Sequence, residues 1–128
     1  MASPSVWKIV LIEDEEDIRD VLTVALMDSG YEVVSAPDGE SGLHMCKKIS
    51  PQIVITDIRM PVIDGNGVVN HIRKSAKQSI PVIAISGTPW LMESSAFDMV
   101  LAKPFPLKKL VESIGSLVPA PPRAAVEA

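Results

Sequence analysis

Four short runs in this chain are almost continuously apolar: Lys8–Ile12, residues 53–56, residues 81–85 and Met99–Ala102. A strand with one wet face alternates apolar and polar side chains, so an unbroken run needs cover on both faces, the habit of interior strands in a parallel sheet. A fifth segment, Glu32–Ala36, is more mixed and is predicted as an edge strand. Between the runs the periodicity is helical. Ile18, Val21, Leu22, Ala25 and Leu26 fall on one face, with Gly30 placed to stop the helix. Leu43, Cys46 and Ile49 form a second stripe closed by Pro51, and Val68, Val69 and Ile72 a third. The clearest stripe, Leu107, Leu110, Val111, Ile114, Leu117 and Val118, starts behind Pro106 and ends at Pro119. This alternation predicts an α/β fold, a parallel sheet with helices on both faces.

The 128 residues suit one domain, predicted over residues 7–118, with a lead-in at 1–6 and a tail at 119–128. Three prolines and small residues mark that tail as frayed or a linker stub. A net charge of -4 argues against a nucleic-acid partner held by a basic face. Cys46 is the only cysteine, which excludes an internal disulfide and a cysteine zinc site and fits a reducing, cytoplasmic setting. No apolar stretch approaches the ~18 residues of a membrane span, and no signal-peptide pattern opens the chain.

One connection breaks the rhythm. Residues 87–98 are twelve in number, at the roughly 10–12-residue minimum for a parallel crossover that includes its helix. Thr88 is a candidate cap with Pro89 behind it, but only one or two turns fit, so a short or irregular fourth helix is predicted. Trp90, Leu91 and Met92 in this segment either cover the sheet or present an apolar contact to a partner.

Ligands of open parallel sheets bind outside the carboxyl ends of the strands. Counting the predicted strands in chain order, the first is followed by Glu13 and Asp14, the third by Asp57, the fourth by Ser86 and the fifth by Lys103. Three carboxylates crowded together need a cation between them or a proton on one. Magnesium suits such a site, since it takes hard oxygen ligands and keeps waters to share with a phosphoryl group. The chemistry that follows is phosphoryl transfer to a carboxylate. Asp57, central in the sheet, is the candidate nucleophile; Asp14 and Glu13 are the metal carboxylates; Lys103 and Ser86 hold the phosphoryl oxygens.

The pieces Ile12-Glu13-Asp14-Glu15, Asp57-Ile58-Arg59-Met60-Pro61 with Asp64-Gly65, Ser86-Gly87 and Lys103-Pro104-Phe105 resemble, in order and position, a response-regulator receiver domain. The resemblance runs over nearly the whole chain. It implies a flavodoxin-like three-layer sandwich with strand order 2-1-3-4-5. It further implies that Asp57 accepts a phosphoryl group from a phosphohistidine on a histidine kinase or histidine phosphotransfer protein, with Mg2+ or Mn2+ bound. Asp14, Asp57 and the Arg59 backbone carbonyl match direct metal ligands, and Glu13 a ligand acting through water. Ser86 matches the hydroxyl that turns toward the phosphoryl group, and Pro104 a residue often reached through a cis peptide. Arg59 and Thr88 match positions that modulate dephosphorylation. Such a chain catalyses only its own phosphorylation and dephosphorylation, and signals through a downstream protein target. Two features depart from the pattern: Val100 stands where an aromatic switch residue is usual, and the spacing from Ser86 to Lys103 is short.

Other readings compete. A pseudo-receiver would keep the fold as a binding module independent of phosphorylation. A nucleotide- or flavin-binding protein would need a glycine-rich loop after the first strand, where Asp14-Glu15-Glu16 stands instead. In the acidic block 13–17, Glu15, Glu16 and Asp17 favour the helix dipole whatever the site does. His44 and His71 are expected on solvated helix surface, and Cys46 in the core.

Overall fold

The computed structural model describes residues 7–75, 79–94 and 96–118; the expected lead-in and tail lie outside these. Elements alternate as β1 (Lys8–Ile12), α1 (Glu16–Asp28), β2 (Glu32–Ala36), α2 (Gly39–Ile49), β3 (Ile53–Asp57), α3 (Gly65–Lys74), β4 (Val82–Ser86), β5 (Met99–Ala102) and α4 (Leu107–Leu117). Among the described residues between β4 and β5 there is a 3-10 turn, Pro89–Leu91, and no α-helix, in keeping with the short or irregular helix expected there. All five strands are parallel in the order β2-β1-β3-β4-β5.

Alternation along each strand divides the core. Ile9 and Leu11, Ile53 and Ile55, and Ile83 and Ile85 face α1 and α4, where they meet Leu22, Leu26, Leu110 and Ile114. Val10, Ile12, Val54 and Val82 face α2 and α3, against Cys46, Val68, Val69 and Ile72. β1, β3 and β4 are buried on both faces almost throughout, which is why their sequences run apolar without a break.

Several expectations need correction. Met99–Ala102 reads as an interior run but forms an edge strand, with Met99 and Val100 half-buried and Ala102 exposed. Val21 is 56% exposed although the periodicity puts it in the apolar stripe of α1; Leu22 and Leu26 are the residues of that stripe that are buried. Leu107 likewise stays partly in water at the first position of α4. β3 and β4 each run one residue further than the apolar pattern, so Asp57 and Ser86 lie within strands. Thr88 stands at the cap position of the 3-10 turn, but its side chain makes no cap bond. The stop at Gly30 appears as expected, with φ 97. Among the described residues no helix is long and apolar enough to cross a membrane.

Candidate functional site

Strand register builds the site. Ile12 pairs with Thr56, Asp57 with Ile85, and Ser86 with Ala102. Glu13 follows Ile12, and Lys103 follows Ala102 with its N–H on Ser86 O at 2.8 Å, so Glu13, Asp57, Ser86 and Lys103 stand along one rim. Their side-chain parity also matters. Glu13, Asp57 and Lys103 alternate in phase with Leu11, Ile55 and Leu101, all in the core on the α1 and α4 side. Ser86 is in phase with Val82, on the α2 and α3 side.

That parity gives a three-membered ion cluster. Lys103 Nζ bonds Glu13 Oε1 at 2.6 Å and Asp57 Oδ2 at 3.2 Å. Reading the sequence pairs Lys103 with Asp57 or a phosphoryl group; its nearer partner is Glu13. Asp57 is 5% exposed and its Oδ1 accepts from Ile58 N–H at 2.7 Å, which fixes the carboxylate plane. Glu13 is fully buried. Loss of water pushes its carboxyl up to about 7; the Lys103 hydrogen bond pulls it down, and the Asp57 charge pushes it up again. Burial by itself would lower the Lys103 ammonium, but the bond to Glu13 and the charge of Asp57 hold it above its usual range.

Carboxylate oxygens of Glu13, Asp14 and Asp57 lie within 4.8 Å of one another, with Asp14 exposed at the mouth. Three hard oxygen donors, two buried and one open to water, fit a magnesium ion that keeps part of its hydration shell. Asp14 and Asp57 border a cleft of about 490 Å3 that is also lined by Glu15, Arg59, Met60, Pro61, Ser86, Gly87, Thr88 and Lys103. Arg59 is exposed there. Ser86 is buried, and its Oγ accepts from Thr88 N–H at 2.9 Å and meets Thr88 Oγ1 at 3.1 Å. The Lys103-Pro104 peptide is cis. All the rim residues singled out by sequence therefore converge, while Val100 lies away from the cleft lining, half-buried on β5.

Elsewhere, His44 and His71 are exposed beside a groove between α2 and α3, and His71 Nδ1 meets Gly67 O at 2.9 Å. Cys46 is buried as expected. Trp90, Leu91 and Met92 are 76%, 42% and 39% exposed, so the reading in which they cover the sheet is set aside. Glu15 flanks α1 without capping it through its side chain, and Glu16 and Asp17 occupy the first turn.

Two residues that matter here escape a reading of the sequence. Asn66 bonds Leu91, Glu93 and Ser94. Arg73 donates to Ile80 O at 2.6 Å, to Ala96 O at 2.9 Å and to Asp98 Oδ2 at 2.7 Å, while that same carboxylate oxygen accepts Val82 N–H. The available signal was indirect: a crossover without a helix leaves backbone polar groups that need partners.

A family model described as the response regulator receiver domain matches residues 9–115. A probable transcriptional regulator of Galdieria sulphuraria is 40% identical over 109 residues, 80% of this chain and 42% of that protein. An uncharacterized transcriptional regulatory protein of Bacillus subtilis, YrkP, is 34% identical over 109 residues, 81% of this chain and 46% of its own length. This chain thus spans less than half of those relatives. Among solved structures, the response regulator TrrA of Thermotoga maritima, in complex with Mg2+ and BeF, superposes with a TM-score of 0.80 at 31% identity, covering 88% of this chain and 99% of that one. With the 2-1-3-4-5 sheet, the rim cluster and a family match over most of its length, the chain belongs to the response regulator receiver domains of two-component signalling.

Proposed function

We propose that the domain accepts a phosphoryl group on Asp57 from a phosphohistidine of a partner kinase or phosphotransfer protein, and relays the signal through protein contacts. The observation that carries this is Lys103 Nζ bridging Glu13 and Asp57 beside a third carboxylate, Asp14. An Asp57 oxygen forms the new bond to phosphorus as the donor's P–N bond breaks. The electron pair stays on the imidazole nitrogen, which takes up a proton. Lys103 carries the positive charge that meets the incoming phosphoryl oxygens. Ile58 N–H keeps the nucleophile oriented, and the Ser86 hydroxyl turns to donate to a phosphoryl oxygen.

Asp14, Asp57, the Arg59 carbonyl and, through water, Glu13 would hold the magnesium, with manganese as a substitute. The ion, when bound, neutralises charge on the transferring group. TrrA, solved with Mg2+ and BeF, supports this reading for a relative of the same fold. The chain promotes only its own phosphorylation and dephosphorylation, works in the cytoplasm, and acts on a downstream protein target.

Intact mass after incubation with magnesium and a small phosphodonor tests the assignment. One added phosphoryl group is expected on wild type and none on Asp57→Asn, which should stay folded because it removes charge from a crowded cluster. Equal labelling of both sinks the choice of nucleophile. Wild type that resists both small donors and phosphohistidine proteins turns the reading toward a phosphorylation-independent binding module.

A further inference from the structure

The crossover after β4 has no helix to satisfy its backbone, and one side chain supplies three of the missing partners. Asn66, in the first turn of α3, is 6% exposed. Its carboxamide nitrogen donates to Leu91 O at 3.2 Å, and its oxygen accepts from Glu93 N–H at 2.8 Å and Ser94 N–H at 3.0 Å. Asparagine is a poor helix former and an expensive group to bury, so its presence there is better explained by the crossover than by the helix.

At the other end of the same segment, Ser86 Oγ takes the Thr88 N–H and meets the Thr88 hydroxyl. Residues 87–94 therefore form a strap tied at both ends, and the turn Pro89–Leu91 runs from the first tie into the second, which holds Leu91 O. The backbone under the Asn66 tie packs closely against β3. Gly65 N–H bonds Ile58 O at 2.7 Å, and a Cβ on Gly65 would stand 2.4 Å from Asp57 O. The side chain that holds the strap thus follows directly on a backbone pressed against the candidate nucleophile.

The two ties are joined by the turn, where Leu91 N–H donates to Thr88 O at 2.9 Å. Turning its hydroxyl toward a phosphoryl group on Asp57 takes it off the Thr88 N–H, and the first tie opens. Asn66 resists, since it holds the turn where Thr88 meets Ser86. We propose that Asn66 is a positioning residue: it latches the strap in its Ser86-bonded form and thereby sets how readily the phosphoryl site is filled. This rests on the reading of Asp57 and Ser86 above. A ligand that fits only the released form binds more weakly by the fraction of molecules released. Linkage makes the effect reciprocal, so weakening the latch must tighten the ligand.

The chain has two tryptophans, and Trp7→Phe leaves Trp90, 76% exposed on the strap, as the sole indole. In that parent, beryllofluoride is titrated in the presence of magnesium. Trp90 emission reports the strap, and 19F NMR independently reports the bound mimic. Asn66→Ala is expected to bind about fivefold tighter or more, the lower end of ordinary coupling, with its free-state emission already shifted toward the bound value. Asn66→Asp keeps an acceptor for the Glu93 and Ser94 amides and should bind no tighter than the parent. A folded Asn66→Ala with parental affinity overturns the latch. So does unchanged Trp90 emission in the parent once 19F NMR shows saturation, a result that needs no variant at position 66. A parent that binds no beryllofluoride at all brings down the phosphoryl reading itself, and the latch with it.

Discussion

Glu13 holds a carboxyl in a place where a single lysine offsets two acids, and its proton affinity follows from that. Burial raises its pKa from 4.5 to about 7 in the absence of metal, the Lys103 bond lowering it and the Asp57 charge raising it. A carboxyl with a raised folded pKa binds its proton more tightly folded than unfolded. The associated stability is complete below about pH 4.5 and is lost as pH rises through about 7. At ~1.4 kcal/mol per pKa unit the whole effect is at most about 3–4 kcal/mol. Urea melts of metal-free protein from about pH 5 to pH 8 should therefore give falling stability, and Glu13→Gln should flatten the slope. An unflattened slope removes Glu13 as its source. Lys103 makes the complementary case. Lys103→Met leaves two buried acids without their cation, which costs about 3–5 kcal/mol when both are charged. The cost should be largest at about pH 8 and shrink toward pH 5, where Glu13 is protonated; a pH-independent loss would point to side-chain packing instead.

The elements set how closely these side chains can be brought together. α3 starts at a glycine because its first turn abuts β3: a Cβ on Gly65 would lie 2.4 Å from Asp57 O and 2.7 Å from Ile58 Cα. Both are backbone atoms, so neither can swing aside. Gly65→Ala should cost roughly 1–3 kcal/mol by overpacking and also slow phosphorylation, because the strain falls on Asp57; destabilisation with a normal rate would separate α3 packing from the site. Asp38 offers a control away from the chemistry. It caps α2 by accepting Ser41 N–H at 2.7 Å, and that bond holds its carboxyl below the usual range. Asp38→Ala should cost about 1 kcal/mol and leave phosphorylation untouched. The elements were largely legible in the sequence, since buried strands announce themselves as Ile-Val-Leu-Ile or Ile-Val-Ile-Thr. The rim was legible for the same reason, because Glu13, Asp57, Ser86 and Lys103 are where those runs turn polar. What escaped depends on distance through space. Nothing near Asn66 in the chain says that it meets Leu91 and Glu93, and Met99–Ala102 reads apolar although its outer neighbour is missing.

Taken as a whole, the molecule joins its rim across positions far apart in sequence: Lys103 and Glu13 are 90 residues apart, Lys103 and Asp57 46 apart. An ion seated among Glu13, Asp14 and Asp57 would tie the ends of β1 and β3 together, and the unfolded chain, with those carboxylates scattered, offers it no comparable site. Magnesium should therefore stabilise the entire domain, by about 2.7 kcal/mol at a hundredfold excess over its dissociation constant. The gain should also depend on pH. Near pH 5 the proton on Glu13 must be displaced before its carboxylate can serve the ion, whereas near pH 8 the ion meets charge that the folded state already strains to hold. The shift in urea midpoint on adding magnesium is thus expected to be larger at about pH 8 than at about pH 5, and to shrink in Asp14→Asn, which removes the exposed carboxylate. Equal shifts at both pH values, persisting in Asp14→Asn, would mean that magnesium acts elsewhere on an acidic surface rather than among these three carboxylates.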